Sequence, residues 1–561
     1  MRQEFWRTTL AAVLLAGIYP VLAAAQQGPL VIEGGTLIDG TGAQPVANSV
    51  VVMDNGKITS VGARAAVRTP PGAKVINATG KFVIPGLVDG HVHYRTWNGE
   101  LYLNHGVTTV VDLSNPTDWI MAVRDASAAG KLYGPRIFAT GLAITRRPTQ
   151  PGGAAWARAE VMARLDRKPD AIKITADLTQ EEYQVITGEA HKRNLVVLGH
   201  STDVYASVNG GMDGITHLWG VSATLMTPEN KKKWQNNDLL SPYAWAQVDK
   251  MDDLVAFMVQ HHTALGPHIV NEHSGVLPQA REYELSDYQL VMNPDLRYVP
   301  INTMLNWLTF WHKVRSYSST VGSYPYVENA DAAVMEESRR GLKNAQEFLR
   351  RFNKAGGMIL AGTDSGGSAN VPGAALHKEI EQFVDAGLTP MQALLTATKL
   401  PAEFYHLDDK VGTLAVGKNA DVLILDANPL SDIRNTRKIG TIIKGGEVID
   451  GRYHREYHSD FAETEEPSIS SSAPVPVVVT LGTKTPVVHD TAFDLTIRGR
   501  DFHSTSVVSV GGKPLATTFV SETEMRVHVP ATRVPTAGTY AVTVFTPWPG
   551  GGTSTRALTV N

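Results

Sequence analysis

Residues 83–93 read VIPGLVDGHVH, and the end of this stretch decides how the rest of the chain is read. From Leu87 to His93 it is a candidate strand, entered through Pro85-Gly86. His91 and His93 stand two apart, so on a strand both rings fall on one side and a single metal can take both. Zinc binds imidazole nitrogen and carboxylate oxygen readily, and a catalytic site keeps a position open for water. Alone, such a pair is weak evidence. Its weight comes from the segments further along the chain.

Outward from this stretch, strand and helix alternate. Candidate strands are Leu87–His93, Val107–Leu113, Arg136–Gly141, Ala171–Thr175, Leu195–His200, Gly214–Leu218, Ala264–Ile269 and Met358–Asp364. Helix-like segments such as TQEEYQVITGEAHKRN (179–194) separate many of them. This alternation argues for a parallel sheet, and eight repeats point to an α/β fold of the (β/α)8 TIM-barrel type, whose sites lie at the C-terminal strand ends. Four further segments put one candidate ligand at such an end: Lys173 in DAIKIT, His200 in LVVLGHS, His217 in GITHLWG and Asp364 in MILAGTDSG. In this order they describe a pair of divalent metals at the mouth of a barrel, and so a hydrolase.

His200 and His217 close the fifth and sixth strands and suit a second metal. Lys173 needs more chemistry, because an ammonium cannot ligate a cation. Its apolar flanks in AIKIT favour the neutral amine. Reaction with CO2 would then give a carbamate with two oxygens; the plain alternative is a lysine that pairs with an acid. Asp364 fits a metal-held general base that takes a proton from water and delivers it to a leaving amine. His268, near the end of the seventh strand, is a candidate substrate-polarising or carboxylate-binding group. His191, beside Lys192 and Arg193, reads as a helix-end cation, and His261 and His262 as the end of a helical run. No G-x-S-x-G nucleophile is present.

Strand-and-turn sequence flanks this region: LVIEGGTLIDGTG, NSVVVMDNGKITSVG and AKVINATGKFVIPG before it, GTLAVGKNADVLILDANP and IGTIIKGGEVIDGRY after it. The expected organisation is a barrel over 85–405 and an accessory β-sandwich built from 26–84 and 406–453. Two unrelated β pieces are the other reading. A Glu-, Ser- and Pro-rich linker follows at 454–474, then a small immunoglobulin-like β-sandwich over 475–561. At the other end, Arg2 and Arg7 precede an apolar run, Leu10 to Leu22, and Ala23-Ala24-Ala25. That is the form of a secretory signal peptide over 1–25, cleaved after Ala25, and it sets an expectation of a periplasmic or secreted protein.

Cysteine is absent from the 561 residues, which excludes disulfides, cysteine-ligated metals and a thiol nucleophile. A formal net charge of -4 gives no reason to expect nucleic acid as a partner. No segment after the leader is long and apolar enough to span a bilayer.

VIPGLVDGHVH, AIKIT, LGHS, ITHLWG and AGTDSG, followed by VGTLAVGKNADVLILDANPL, resemble the amidohydrolase superfamily over roughly residues 29–453. The nearest likeness is to its prolidase- and imidazolonepropionase-like branch. The resemblance implies His91, His93, Lys173, His200, His217 and Asp364 as ligands of two metals, zinc being expected, with Lys173 carboxylated and bridging. It also implies a hydroxide between the metals that attacks an amide, of a dipeptide or N-acyl amino acid. A lactone or other ester is the rival substrate. A non-catalytic binding protein with a degenerate barrel is the other class, and the intact ligand set argues against it.

The chain also departs from that pattern. The loop after the third strand, AITRRPTQPGGAAW, lacks the Gly-Gly-His of prolidase-like relatives and carries Arg146 and Arg147, which either bind a substrate carboxylate or sit in a solvated loop. The seventh connection, about 270 to 357, is far beyond the usual loop and carries Trp307 and Trp311 on INTMLNWLTFWHKV, either walling the pocket or packing within itself. The C-terminal segments FDLTIRGRDF, SVVSVGGKPL, EMRVHVP and GTYAVTVFTPWPGG resemble IPT/TIG immunoglobulin-like domains. No catalytic group is visible there, so the module is expected to contact protein or glycan or to add stability, and its removal to leave small-substrate hydrolysis nearly unchanged.

Overall fold

The computed structural model describes residues 28–146, 152–236, 238–239, 241–313, 330–459, 461, 475–483, 488–503, 506–546 and 552–561. The leader expected at 1–25, most of the linker and Arg147 lie outside the described residues.

Strands from both flanks interleave. Leu30–Glu33 pairs antiparallel with Ser49–Asp54 and parallel with Lys74–Asn77, and Lys57–Ala63 completes a four-stranded sheet. A five-stranded sheet takes Thr36–Leu37 and Phe82–Pro85 from one flank, and Val422–Leu425, Ile439–Lys444 and Glu447–Ile449 from the other. Its central pairing sets Val422 opposite Pro85 and Leu425 opposite Phe82. Ile32, Val51 and Met53 of the first sheet share one buried layer with Val83, Val422 and Ile424 of the second. Burial of that layer is what joins the two flanks.

Between the flanks the fold is mixed α/β. Leu87–Val92, Val107–Asp112 and Arg136–Ala139 form one parallel sheet; Ile172–Ile174, Val197–Gly199, Gly214–Thr216 and Ala264–Gly266 form another. Single parallel bridges join Ile144 to Ile174, Leu265 to Ile359 and Val92 to Ser365. Every residue of Leu87–Val92 is buried, as expected of a parallel strand covered on both faces. The helix expected after the fourth strand runs Gln180–His191 and starts on a capping box between Thr179 and Glu182.

The strands stop short of the expected ends, at Val92, Gly199, Thr216 and Gly266. Met358–Asp364, expected as a strand, contributes a single bridge at Ile359, with another just beyond it at Ser365. For the strands ending at Thr216 and Gly266 and for the Asp364 segment the reason is visible in the backbone: His217, His268 and Asp364 have φ of 67°, 56° and 58°. Left-handed residues end a strand, and for side chains other than glycine they cost energy that surrounding structure must offset.

The C-terminal module consists of two antiparallel sheets, Val477–Gly482, Phe493–Arg500, Glu524–Val529 and Thr517–Ser521 in one, Lys513–Leu515, Val507–Val510, Gly538–Thr546 and Gly552–Val560 in the other. Leu495, Ile497, Met525, Val508, Val542 and Val544 lie in its core. Val507 and Phe545 belong instead to a cluster with Trp97, Leu101, Met304 and Trp307. The long seventh connection supplies the helices Ala280–Val291, Ile301–Phe310 and Ala332–Lys354, and the module packs on the second of these. Arg533 donates to His312 Nδ1 at 3.0 Å, and His312 Nε2 lies 2.9 Å from Glu284. No described helix is long and apolar enough to cross a membrane.

Candidate metal centre

Six candidate ligands and His268 converge. One ligand atom from each of His91, His93 and Asp364 lies within 4.8 Å of the others, and the same holds for His91, His217 and His268. His200 joins through its ring, 4.9 Å from that of His217. Lys173 Nζ lies 3.5 Å from His91 Nε2 and donates to Thr216 Oγ1 at 3.0 Å.

Hydrogen bonds fix which nitrogens face inward. His93 Nδ1 is 2.9 Å from the Ser114 carbonyl, which can only accept, so Nδ1 carries the proton. Its Nε2 faces Asp364 Oδ1 at 3.1 Å, and His91 Nε2 lies 3.6 Å from the same oxygen; against the lowering effect of burial, the hydrogen bond and charge of Asp364 raise the His93 imidazole above its ordinary value. A positive charge suits this gap, whether the proton of a His93 imidazolium or a bound cation. Two ligands each about 2.0–2.1 Å from a tetrahedral zinc are about 3.3 Å apart, so these spacings fit a shared cation. Asp364 Oδ2 accepts from Asn271 at 2.8 Å, which orients the carboxylate. Gly366 lets the Asp364 loop close on the His93 strand: a Cβ there would lie 1.9 Å from the His93 carbonyl oxygen.

The electrostatics agree with a site built for cations. Burial pushes the Lys173 amine down to about 7, against the raising pull of Asp364 and Asp112. Burial likewise holds His91, His200 and His268 well below the usual imidazole value. Burial would raise Asp364, but its hydrogen bond to His93 and the charges of the surrounding histidines outweigh that and hold it far below the usual carboxylate range. The buried His268 Nε2 has no hydrogen-bond partner, a cost that a bound ligand would remove.

Several groups that matter here were not picked out from the sequence. Glu272 accepts from His217 Nδ1 at 2.7 Å, and Tyr243 donates to its other oxygen at 2.5 Å. Asp112 accepts from the Tyr94 amide and from Asn115. Asn271 and Glu272 follow His268 at helical spacing in HIVNEH, a signal open to a closer reading. Arg146 turns elsewhere: its guanidinium pairs with the buried Glu182 at 3.0 Å and lies over Trp156. His191 pairs with Asp213. A cavity of about 300 Å³ opens beside the Asp364 loop, lined by Arg95, Trp97, Asn306, Trp307 and Ser368 among others. Trp307 thus both walls the cavity and packs in the insertion, whereas Trp311 donates to Asp287 at 2.8 Å and is buried.

The model of the amidohydrolase family matches residues 82–449. The chain belongs to the amidohydrolase family. A second model, the IPT/TIG domain, matches residues 467–559 of this amidohydrolase. Among curated proteins it is 42% identical over 66 residues to a dihydroorotase of Pelotomaculum thermopropionicum (12% of this chain, 14% of that enzyme). It is 30% identical over 101 residues to an adenine deaminase of Paracoccus denitrificans (17% of each). The amidohydrolase thus spans a small part of the curated relatives it matches. Among solved structures it is similar to a Bifidobacterium longum protein assigned to the prolidases (TM-score 0.56, 24% identity, 77% of this chain and 97% of that one). It is also similar to a Xaa-Pro dipeptidase with bound methionine (TM-score 0.52, 20% identity, 75% and 100%).

Proposed function

We propose that this amidohydrolase is an exported, metal-dependent enzyme that hydrolyses an amide bond, of a dipeptide or an N-acyl amino acid. The observation that carries the reading is the convergence of His93 Nε2 and His91 Nε2 on Asp364 Oδ1, at 3.1 and 3.6 Å. His91, His93 and Asp364 would hold one divalent metal, His200 and His217 a second, and Lys173 as a carbamate would bridge them. The amine's descent to about 7 leaves much of it neutral and able to take up CO2 near neutral pH. The leader at 1–25 supports export. The two parallel sheets, extended by single bridges to Ile144, Ile359 and Ser365, support a closed (β/α)8 barrel with the site at its C-terminal mouth.

Metals in this place would lower the pKa of a water and polarise the scissile carbonyl. The chain's own residues do the rest. Asp364, oriented by Asn271, takes the proton from the attacking water and passes it to the departing amine. Glu272 holds the His217 ring in one tautomer and one orientation. The cavity of about 300 Å³ is at the small end of ligand pockets, which run from about 300 to 1,000 Å³. That suits a substrate of dipeptide size. The prolidase and dipeptidase likenesses point the same way.

The test is metal analysis of the purified chain, followed by turnover of its zinc form on dipeptides, N-acyl amino acids and lactones. Two equivalents of metal and amide hydrolysis are expected. A chain that binds no metal, or a lactone hydrolysed well with no amide turned over, would overturn the reading.

A further inference from the structure

His268 stands outside the six ligands, yet its ring is at the centre of the site. It is 4.5 Å from the His91 ring and 4.3 Å from that of His217, and it is almost fully buried. The backbone at His268 turns left-handed, with φ of 56°, directly after the Ala264–Gly266 strand. A histidine held in that conformation spends energy to point its ring inward.

The tautomer follows from one contact. His268 Nδ1 lies 2.7 Å from the carbonyl oxygen of Gly266. A carbonyl only accepts, so Nδ1 carries the hydrogen and Nε2 carries a lone pair. That Nε2 is buried and has no hydrogen-bond partner. Gly362 keeps the space before it open, since a Cβ there would come within 3.1 Å of Nε2 and 2.8 Å of His91 Cβ. A group that polarises a substrate carbonyl must donate a hydrogen bond, and in this tautomer Nε2 has none to give. In this tautomer the ring is set to give a lone pair rather than a hydrogen bond.

A buried, inward-facing imidazole lone pair is a metal ligand in chemical character. His217 is arranged the same way: Glu272 takes its Nδ1 hydrogen and leaves Nε2 free. We propose that His268 Nε2 is a further metal ligand, forming with His91 and His217 an all-imidazole face of the centre. This rests on the metallohydrolase reading but adds a ligand from the seventh strand to that set. The face would take a divalent cation of the zinc or cobalt kind, for which neutral imidazole is well suited.

The experiment uses the full-length chain and its His268→Gly and His268→Gln variants, loaded with Co(II). Glycine relieves the left-handed backbone, so this variant separates loss of the ring from backbone strain. Metal affinity is read by chelator competition and ligand number by visible absorption and X-ray absorption, with the melting temperature of the metal-free proteins as the folding control. The expected result is at least about tenfold weaker binding of one equivalent, a changed cobalt spectrum, one fewer imidazole around the metal, and partial recovery when free imidazole is added to His268→Gly. Unchanged affinity, spectrum and imidazole number in folded His268→Gly would overturn the proposal and leave the metallohydrolase reading standing. A wild-type chain that takes up no metal would overturn both.

Discussion

His217 and Glu272 form a hydrogen-bonded pair inside the molecule: Nδ1 of the ring is 2.7 Å from Oε1 of the carboxylate, and Tyr243 closes on Oε2. A carboxylate behind a ligating imidazole raises its basicity and fixes its direction. Replacing Glu272 with Ala should weaken metal binding by about 10–100-fold. Glu272→Gln keeps an acceptor for Nδ1 and should lose less. Chelator competition measures both, and equal affinity across wild type and Glu272→Ala would show that the pair serves only packing.

Lys173 decides between one metal and two. Lys173→Ala should lose one metal equivalent and most activity, and acetate or propionate added to the buffer should restore part of both. Lys173→Arg should not be rescued, since guanidinium stays charged and forms no stable carbamate. Carbon-13 NMR after labelled bicarbonate should show the carbamate in wild type. Full activity with one metal and an unmodified amine would rule out the bridge.

The C-terminal module does more in the fold than its lack of catalytic groups suggests. Phe545 and Val507 pack in one cluster with Trp97 and Trp307, and both tryptophans line the cavity. This contact puts the expectation that the module is dispensable for hydrolysis to a direct test. Phe545→Ala should cost about 3 kcal/mol of stability and raise KM more than it lowers kcat. Steady-state kinetics with an unfolding curve would test it; unchanged KM in a destabilised variant would confine the contact to stability.

Glu379 supplies a pH dependence beside the His268 turn. It accepts from the Ile269 and Val270 amides, and burial, outweighing those hydrogen bonds, raises its pKa from 4.5 to about 8. Between these two values the folded state holds a proton that the unfolded state has lost, so this group's contribution to stability falls as pH rises, with a slope of up to about 1.4 kcal/mol per pH unit. Glu379→Gln cannot titrate. Wild type should therefore lose stability relative to this variant from about pH 4.5 to about pH 8, as read from thermal midpoints, and parallel profiles would contradict the assignment.

His91→Ala with His93→Ala should abolish metal uptake and hydrolysis while the chain still folds, because the apolar side chains of Leu87–Val92 remain. Circular dichroism and metal analysis check this together. Normal turnover by the folded, metal-free variant would end the metallohydrolase hypothesis.

The sequence was legible where chemistry and periodicity coincide. His91, His93, His200, His217 and Asp364 each follow or close an apolar run, so their place could be read without coordinates, and they meet in the structure. Strand ends were read too far, because apolar pattern does not reveal a left-handed turn at a histidine or an aspartate. Arg146 misled for a different reason: its partner Glu182 sits on a later helix, and a contact between side chains distant in sequence leaves no local pattern. Glu272 was missed because a carboxylate in a short helix reads as solvent-facing until burial is known.

The five-stranded sheet has a consequence for how the polypeptide reaches its native state. Phe82–Pro85 leads straight into the Leu87–Val92 strand, yet its antiparallel neighbour is Val422–Leu425. During synthesis the early half therefore waits for residues made several hundred positions later. Pairings this distant in sequence make folding slow and leave unmatched edges exposed meanwhile. For a chain that we propose to be exported, that delay would keep the polypeptide threadable until it has crossed, and the late clasp would then commit it to the folded form.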